Sequence, residues 1–125
     1  MKSYTNLEQS RKLAEILPLE SADMCYIKGK AHLGFLYEEY KEVGDTVLQD
    51  YEPCWSLASL LSVIPKRIKK DNIFRIDVGV KDSSIWYDEL SYGVNNDLPD
   101  ITAFNLVDAC YKMIVKLHEL NLLEL

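Results

Sequence analysis

Nowhere in the chain does glycine fall into G-x-x-x-x-G-K, G-x-G-x-x-G or G-x-S-x-G. Those spacings cradle phosphates, bind dinucleotides or carry a nucleophile on a strained turn, and the chain offers none of them. Histidine is scarce, with only His32 and His118. No pair among the two histidines and Cys25, Cys54 and Cys110 has the C-x2-C or H-x3-H spacing of a zinc site. The reading therefore calls for no metal and no cofactor. No apolar run approaches the ~18 residues of a membrane span. The stretch MKSYTNLEQSRKL lacks the apolar core of a signal peptide. Positive charge is the minority, fourteen Lys and Arg against twenty Asp and Glu, for a net charge of −6. Nucleic acid and anionic membranes both need a positive field, so neither is an expected partner. An odd number of widely spaced cysteines without a secretion signal reads as reduced thiols in a cytoplasmic protein.

What is present is a globular composition, 48% hydrophobic and 27% charged in 125 residues. This is enough chain for one domain, 1–125, with its own core. In TNLEQSRKLAEILP, Thr5 and Glu8 have capping-box spacing, Leu13, Ala14, Ile16 and Leu17 form a stripe, and Pro18 stops the helix. DMCYIKG has strand propensity and ends in a turn at Gly29. The residues after it, over 30–50, read equally as a strand or a loop, with an acidic end from Glu38 to Glu52. A second helix is expected from Pro53 to just before Pro65. In NIFRIDVGV the alternation puts Phe74, Ile76, Val78 and Val80 on one face, and IWYDELSYGV returns as its hairpin partner. The last helix runs from about Asn105 to Leu120, capped by Asn105, with Asp108 and Lys112 as an i,i+4 pair. Its apolar arc is Leu106, Val107, Cys110, Met113, Ile114, Leu117 and Leu120. The order α-β(β)-α-β-β-α predicts an α+β fold, a small antiparallel sheet with about three helices packed on one face.

Few residues carry chemistry. Cys54 in PCWSLASLL, at the expected start of the second helix, resembles the placement of a cysteine nucleophile, with His118 or His32 as the available base. On a helical wheel, however, Cys54 shares the apolar face of Leu57, Leu61 and Ile64, which predicts a buried, inert thiol. Asp88 alternates with Trp86, Leu90 and Tyr92, so strict pairing sets a carboxylate among aromatics, the setting of a general acid. A β-bulge at YDE that turns Asp88 and Glu89 outward is the plainer expectation. The run KRIKK at 66–70 reads as a solvated loop. Trp55 points away from the core stripe of its helix, toward Ser59 and Ser62, which are too small to shield an indole. Either another part of the chain covers Trp55, the commoner fate of a tryptophan, or Trp55, Ser59 and Ser62 form the candidate binding surface for a protein partner.

The strings LAEILPLESADM, PCWSLASLL and NLVDACYKMIVKLHEL resemble segments of a group of short proteins from Bacteroides-type gut bacteria and their phages and mobile elements. The three blocks keep the same order and cover about a third of the chain. That group often has proline after the asparagine of the third block, where this chain has Leu106, and it varies over the stretch matching 28–50. The resemblance implies a small cytosolic accessory factor of phage or mobile-element type, and it supplies no catalytic residues. Two function classes follow: a non-enzymatic protein-binding factor, and a small cysteine-dependent hydrolase using Cys54 with His118 or His32.

Overall fold

A computed structural model describes residues 2–34, 51–90, 93–95 and 97–123. Most of the acidic stretch falls outside them.

Helix α1 spans Leu7–Ile16. Its cap is Asn6, one residue later than the sequence suggested. Asn6 accepts from the Gln9 N–H at 2.8 Å, and the Gln9 side chain accepts from the Asn6 N–H at 3.1 Å. Thr5 is instead buried, its hydroxyl paired with Ser10 at 2.7 Å and accepting from the Trp55 N–H at 3.2 Å. Leu17 closes the helix before Pro18, and a 3₁₀ turn follows at Leu19–Ser21. Strands β1 (Met24–Ile27) and β2 (Lys30–Leu33) form a hairpin. Its two central residues, Lys28 and Gly29, both have positive φ, as a tight hairpin turn demands.

Residues 51–54 are strand, not helix. β3 (Tyr51–Cys54) adds to the free side of β1, with Cys54 opposite Met24. Pro53 thus lies in a strand on the sheet edge, where its missing N–H costs no ladder bond. Helix α2 starts only at Leu57 and ends at Val63, capped by Ser56, which accepts from the Ser59 N–H at 3.2 Å. A serine is a better cap than proline is a forced start, and that preference sets the boundary.

The second sheet begins immediately. β4 (Arg67–Ile68), β5 (Asn72–Val78), β6 (Ser83–Glu89) and β7 (Gly93–Val94) lie side by side in that order, and β8 (Ile101–Ala103) pairs the other end of β6. Helix α3 (Leu106–Glu119) then packs across β6, β8, α1 and α2. The fold is α+β, with two small antiparallel sheets where one was expected. Three helices are present among the described residues.

The core gathers around α3. Val107, Ala109, Cys110, Met113, Ile114 and Leu117 are buried against Leu13, Trp55, Leu60, Ile64, Ile85 and Tyr87. Leu120, expected in the arc, is exposed beyond the helix end. Asp108 does not pair with Lys112. It takes the Lys2 ammonium at 2.7 Å and the Gln9 amide at 2.9 Å, tying the first residues of the chain to α3.

Candidate functional site

The residues singled out from sequence do not come together. Cys54 has no accessible surface. Its sulfur sits against Thr5, 3.5 Å from the carbonyl and 3.7 Å from the hydroxyl, in a small cluster with Met24 and Tyr26. Burial pushes its thiol pKa up, against hydrogen bonds from Thr5, Ser10 and Tyr26 that favour the thiolate. Neither histidine is its partner. His32 stands opposite Cys25 in the β1–β2 register, whereas Cys54 stands opposite Met24. Adjacent residues of a strand point to opposite faces, so His32 and Cys54 lie on opposite sides of the three-stranded sheet. His118 is exposed in the last turn of α3. A nucleophile needs access, a lowered pKa and a base, and Cys54 has none of the three. Cys110 is also fully buried, in the middle of α3, with burial raising its pKa to about 12.

The surface expected at Trp55, Ser59 and Ser62 does not exist. Trp55 precedes α2 and so is not on its outer face. It is wholly buried in the main core, and its indole N–H donates to the Ser21 hydroxyl at 2.9 Å. Ser59 is buried and donates to the Ser56 carbonyl at 2.9 Å. Ser62 is exposed and donates to the Ser59 carbonyl at 2.8 Å. The wheel failed because it was started four residues too early, on residues that are not helical.

Asp88 lies on the face of β6 opposite buried Ile85 and Tyr87, together with Trp86. The β5–β6 register is continuous from Asn72↔Glu89 to Val78↔Ser83, so no bulge turns Asp88. The carboxylate is occupied. It accepts from the Trp86 indole at 2.8 Å and from Arg75 Nε at 3.3 Å. A paired, partly exposed carboxylate is a surface ion pair and not a poised general acid.

A different feature stands out. Ile76, Val78 and Val80 are 42%, 58% and 105% exposed, although alternation puts Ile76 and Val78 on the core face with Ile85 and Ser83. Helix α3 packs on β6 and β8, and β5 is not among its main neighbours. The backbone is also open there. The Phe74 N–H donates to the Lys66 carbonyl at 3.0 Å, on the β4 side. Alternate residues of a strand point their amides the same way, so Ile76 and Val78 direct N–H and C=O to that side too. No strand lies there among the described residues, because β4 pairs only Asn72 and Ile73. It cannot reach further, since two residues before Lys66 the chain is Ile64, the C-cap of α2. The alternation puts these side chains on one face without saying whether that face is covered. The signal that bears on it is the shortness of the 65–68 segment between helix and turn. The same register sets Ala103 beside Ser83, so Phe104, 90% exposed, lies one residue past this end of the sheet.

Elsewhere, a cavity of about 220 Å³ is lined by Lys2, Ser3, Tyr4, Asn6 and Tyr26. Among the described residues no group of three or more His, Cys, Asp or Glu is placed to hold a metal ion. No helix among them is long and apolar enough to cross a membrane. No protein-family model matches the chain, and no curated protein and no solved structure matches it.

Proposed function

We propose that the chain is a non-catalytic protein-binding factor whose partner supplies an extended strand to the open edge of β5. The carrying observation is that edge: backbone at Ile76 and Val78 with no pairing strand among the described residues, flanked by the exposed apolar side chains of Ile76, Val78 and Val80. Sheet edges are normally blunted by lysine, proline, bulges or a covering element, because they template pairing with another chain. Along Ile76–Val78 there is neither lysine nor proline. An added strand would gain main-chain hydrogen bonds from the edge and specificity from pockets at alternate side chains. Apolar residues at every second position would meet Ile76 and Val78, and a basic residue would meet the exposed Asp77 on the other face. The three free, buried cysteines and the negative net charge suit a cytosolic accessory factor, and the phage or mobile-element type follows from the sequence resemblance alone. The hydrolase alternative, Cys54 with His118 or His32, has no comparable support.

A peptide-display selection against the full chain tests the proposal, with Val78→Pro and Val78→Lys as counter-targets. Neither change removes an internal ladder bond, because the Val78 N–H points outward. Enriched peptides with alternating apolar residues that lose binding to both variants support strand addition. Peptides that bind parent and variants alike, or no enrichment at all, refute it.

A further inference from the structure

Residues of β4 and of the turn after α3 line a second cavity, about 280 Å³, formed by Pro65, Arg67, Ile68, Lys69, Asn121 and Leu122. Its lining holds two cations and no carboxylate. They belong to the run KRIKK, which as a solvated loop would need no cavity.

The four cations of that run have different employment. The Lys66 ammonium donates to the Leu61 and Ile64 carbonyls at the end of α2 and lies 5.6 Å from the centroid of the Phe74 ring. Arg67 and Lys69 take part in no ion pair among the described residues. Lys69 and Lys70 are both left-handed, at φ 51° and 68°. In the β1–β2 hairpin the second such position is Gly29, whereas here both are lysines. Glycine or asparagine adopts this conformation readily and lysine does not. Local strain retained in a turn is a pointer to use. On the far wall, the end of α3 spends two of its carbonyls on the turn that follows. The Leu122 N–H donates to the Leu117 carbonyl at 2.9 Å and the Asn121 N–H to the His118 carbonyl at 3.1 Å, with Asn121 left-handed at the helix end.

We propose that this cavity binds a small organic phosphate, with the phosphate between Arg67, Lys69 and Asn121 and the body of the ligand against Pro65, Ile68 and Leu122. The Arg67 guanidinium offers paired donors that match two phosphate oxygens, and Lys69 adds a point charge. The volume lies near the lower end of the roughly 300–1,000 Å³ usual for ligand sites, which limits the ligand to a small one. The net charge of −6 repels anions at a distance, so binding depends on the local pair and weakens with salt. This site is independent of strand addition at β5.

The test is a titration of the full chain with inorganic phosphate, followed by amide NMR at constant ionic strength, with acetate as the comparison. The expected result is shifts confined to residues 67–69 and 121–122, with half-saturation on the order of 1 mM. The Arg67→Ala/Lys69→Ala double variant should weaken binding by roughly tenfold or more, the effect of losing charge-assisted bonds. Lys69→Gly removes the cation in a conformation glycine prefers, so it should melt no lower than the parent and still bind phosphate less tightly. Three results overturn the assignment: shifts absent or located elsewhere, undiminished affinity in the Lys69→Gly variant, or acetate saturating the same residues at the same concentration.

Discussion

Replacing Trp55 with alanine should remove a large part of the stability of the fold. The indole has no exposed surface and lies in the main core with Leu13, Ala22 and Leu60. A buried aromatic removes about 150–250 Å² from water. At about 25 cal/mol per Å² that is roughly 4–6 kcal/mol, part of which alanine retains. Measured aromatic-to-alanine changes in cores fall at about 3–5 kcal/mol, and that is the expected loss. A domain of this size has about 5–15 kcal/mol in total, so the variant should be marginal at room temperature. Trp55→Phe separates packing from hydrogen bonding. It keeps most of the ring but loses the bond to the Ser21 hydroxyl. Ser21 still donates to the Pro18 carbonyl at 2.6 Å, so nothing polar is stranded. The expected cost is roughly 1–2 kcal/mol. Urea denaturation followed by circular dichroism reads both values. A loss below about 1 kcal/mol for Trp55→Ala, the range of surface positions, would refute the buried placement.

Leu117→Ala, at a fully buried position on α3, should cost about 2–5 kcal/mol in the same assay, against under about 0.5 kcal/mol for exposed Lys112→Ala. Cys54 and Cys110, buried with raised pKa values, should react with iodoacetamide far more slowly in native protein than in urea, and equal rates would show them to be accessible. Burial alone would raise the Asp108 pKa, but hydrogen bonds from Lys2, Gln9 and Asn105 outweigh it and hold the carboxyl below its ordinary 3.8. A depressed carboxyl pKa contributes stability that is complete above the ordinary value and lost as pH falls through the folded one. Asp108→Asn should therefore destabilise the protein at neutral pH and flatten its acid limb below about pH 4, as read by melts across pH.

Periodicity made α1 and α3 legible because each has a long stripe and a capping residue near its start, although the cap of α1 is Asn6 and not Thr5. It placed α3 to within a residue at each end. It misplaced α2 because a seven-residue helix has too few turns to fix a phase, and Pro53 imitated a helix start. That one error put Trp55 on the outer face of a helix, in need of cover from elsewhere, and Cys54 on the same helix. Cys54 is nevertheless buried, against Thr5 and Tyr26 rather than the apolar face of α2. The faces of β5 were legible but their burial was not. Whether Ile76 and Val78 are covered depends on which strands α3 crosses and on how far β4 runs, and neither is local to the strand. The bond that Asp88 makes to Trp86 lies within one strand and follows from alternation, whereas its bond to Arg75 depends on register, which alternation alone does not supply.

The first residues of the chain knit distant parts together. The Thr5 N–H reaches the Trp55 carbonyl at 3.0 Å, the Leu57 N–H reaches the Ser3 carbonyl at 2.9 Å, and Lys2 reaches Asp108, 106 positions away. Such closures lose chain entropy before they return any contact energy, and they slow folding. On the ribosome, Lys2 must wait for a partner made 106 residues later. Until residues 107–117 clear the exit tunnel, Trp55, Leu60 and Ile85 have no α3 to pack against. For that interval the nascent chain carries uncovered apolar surface, and a chaperone that holds such surface has its opportunity then.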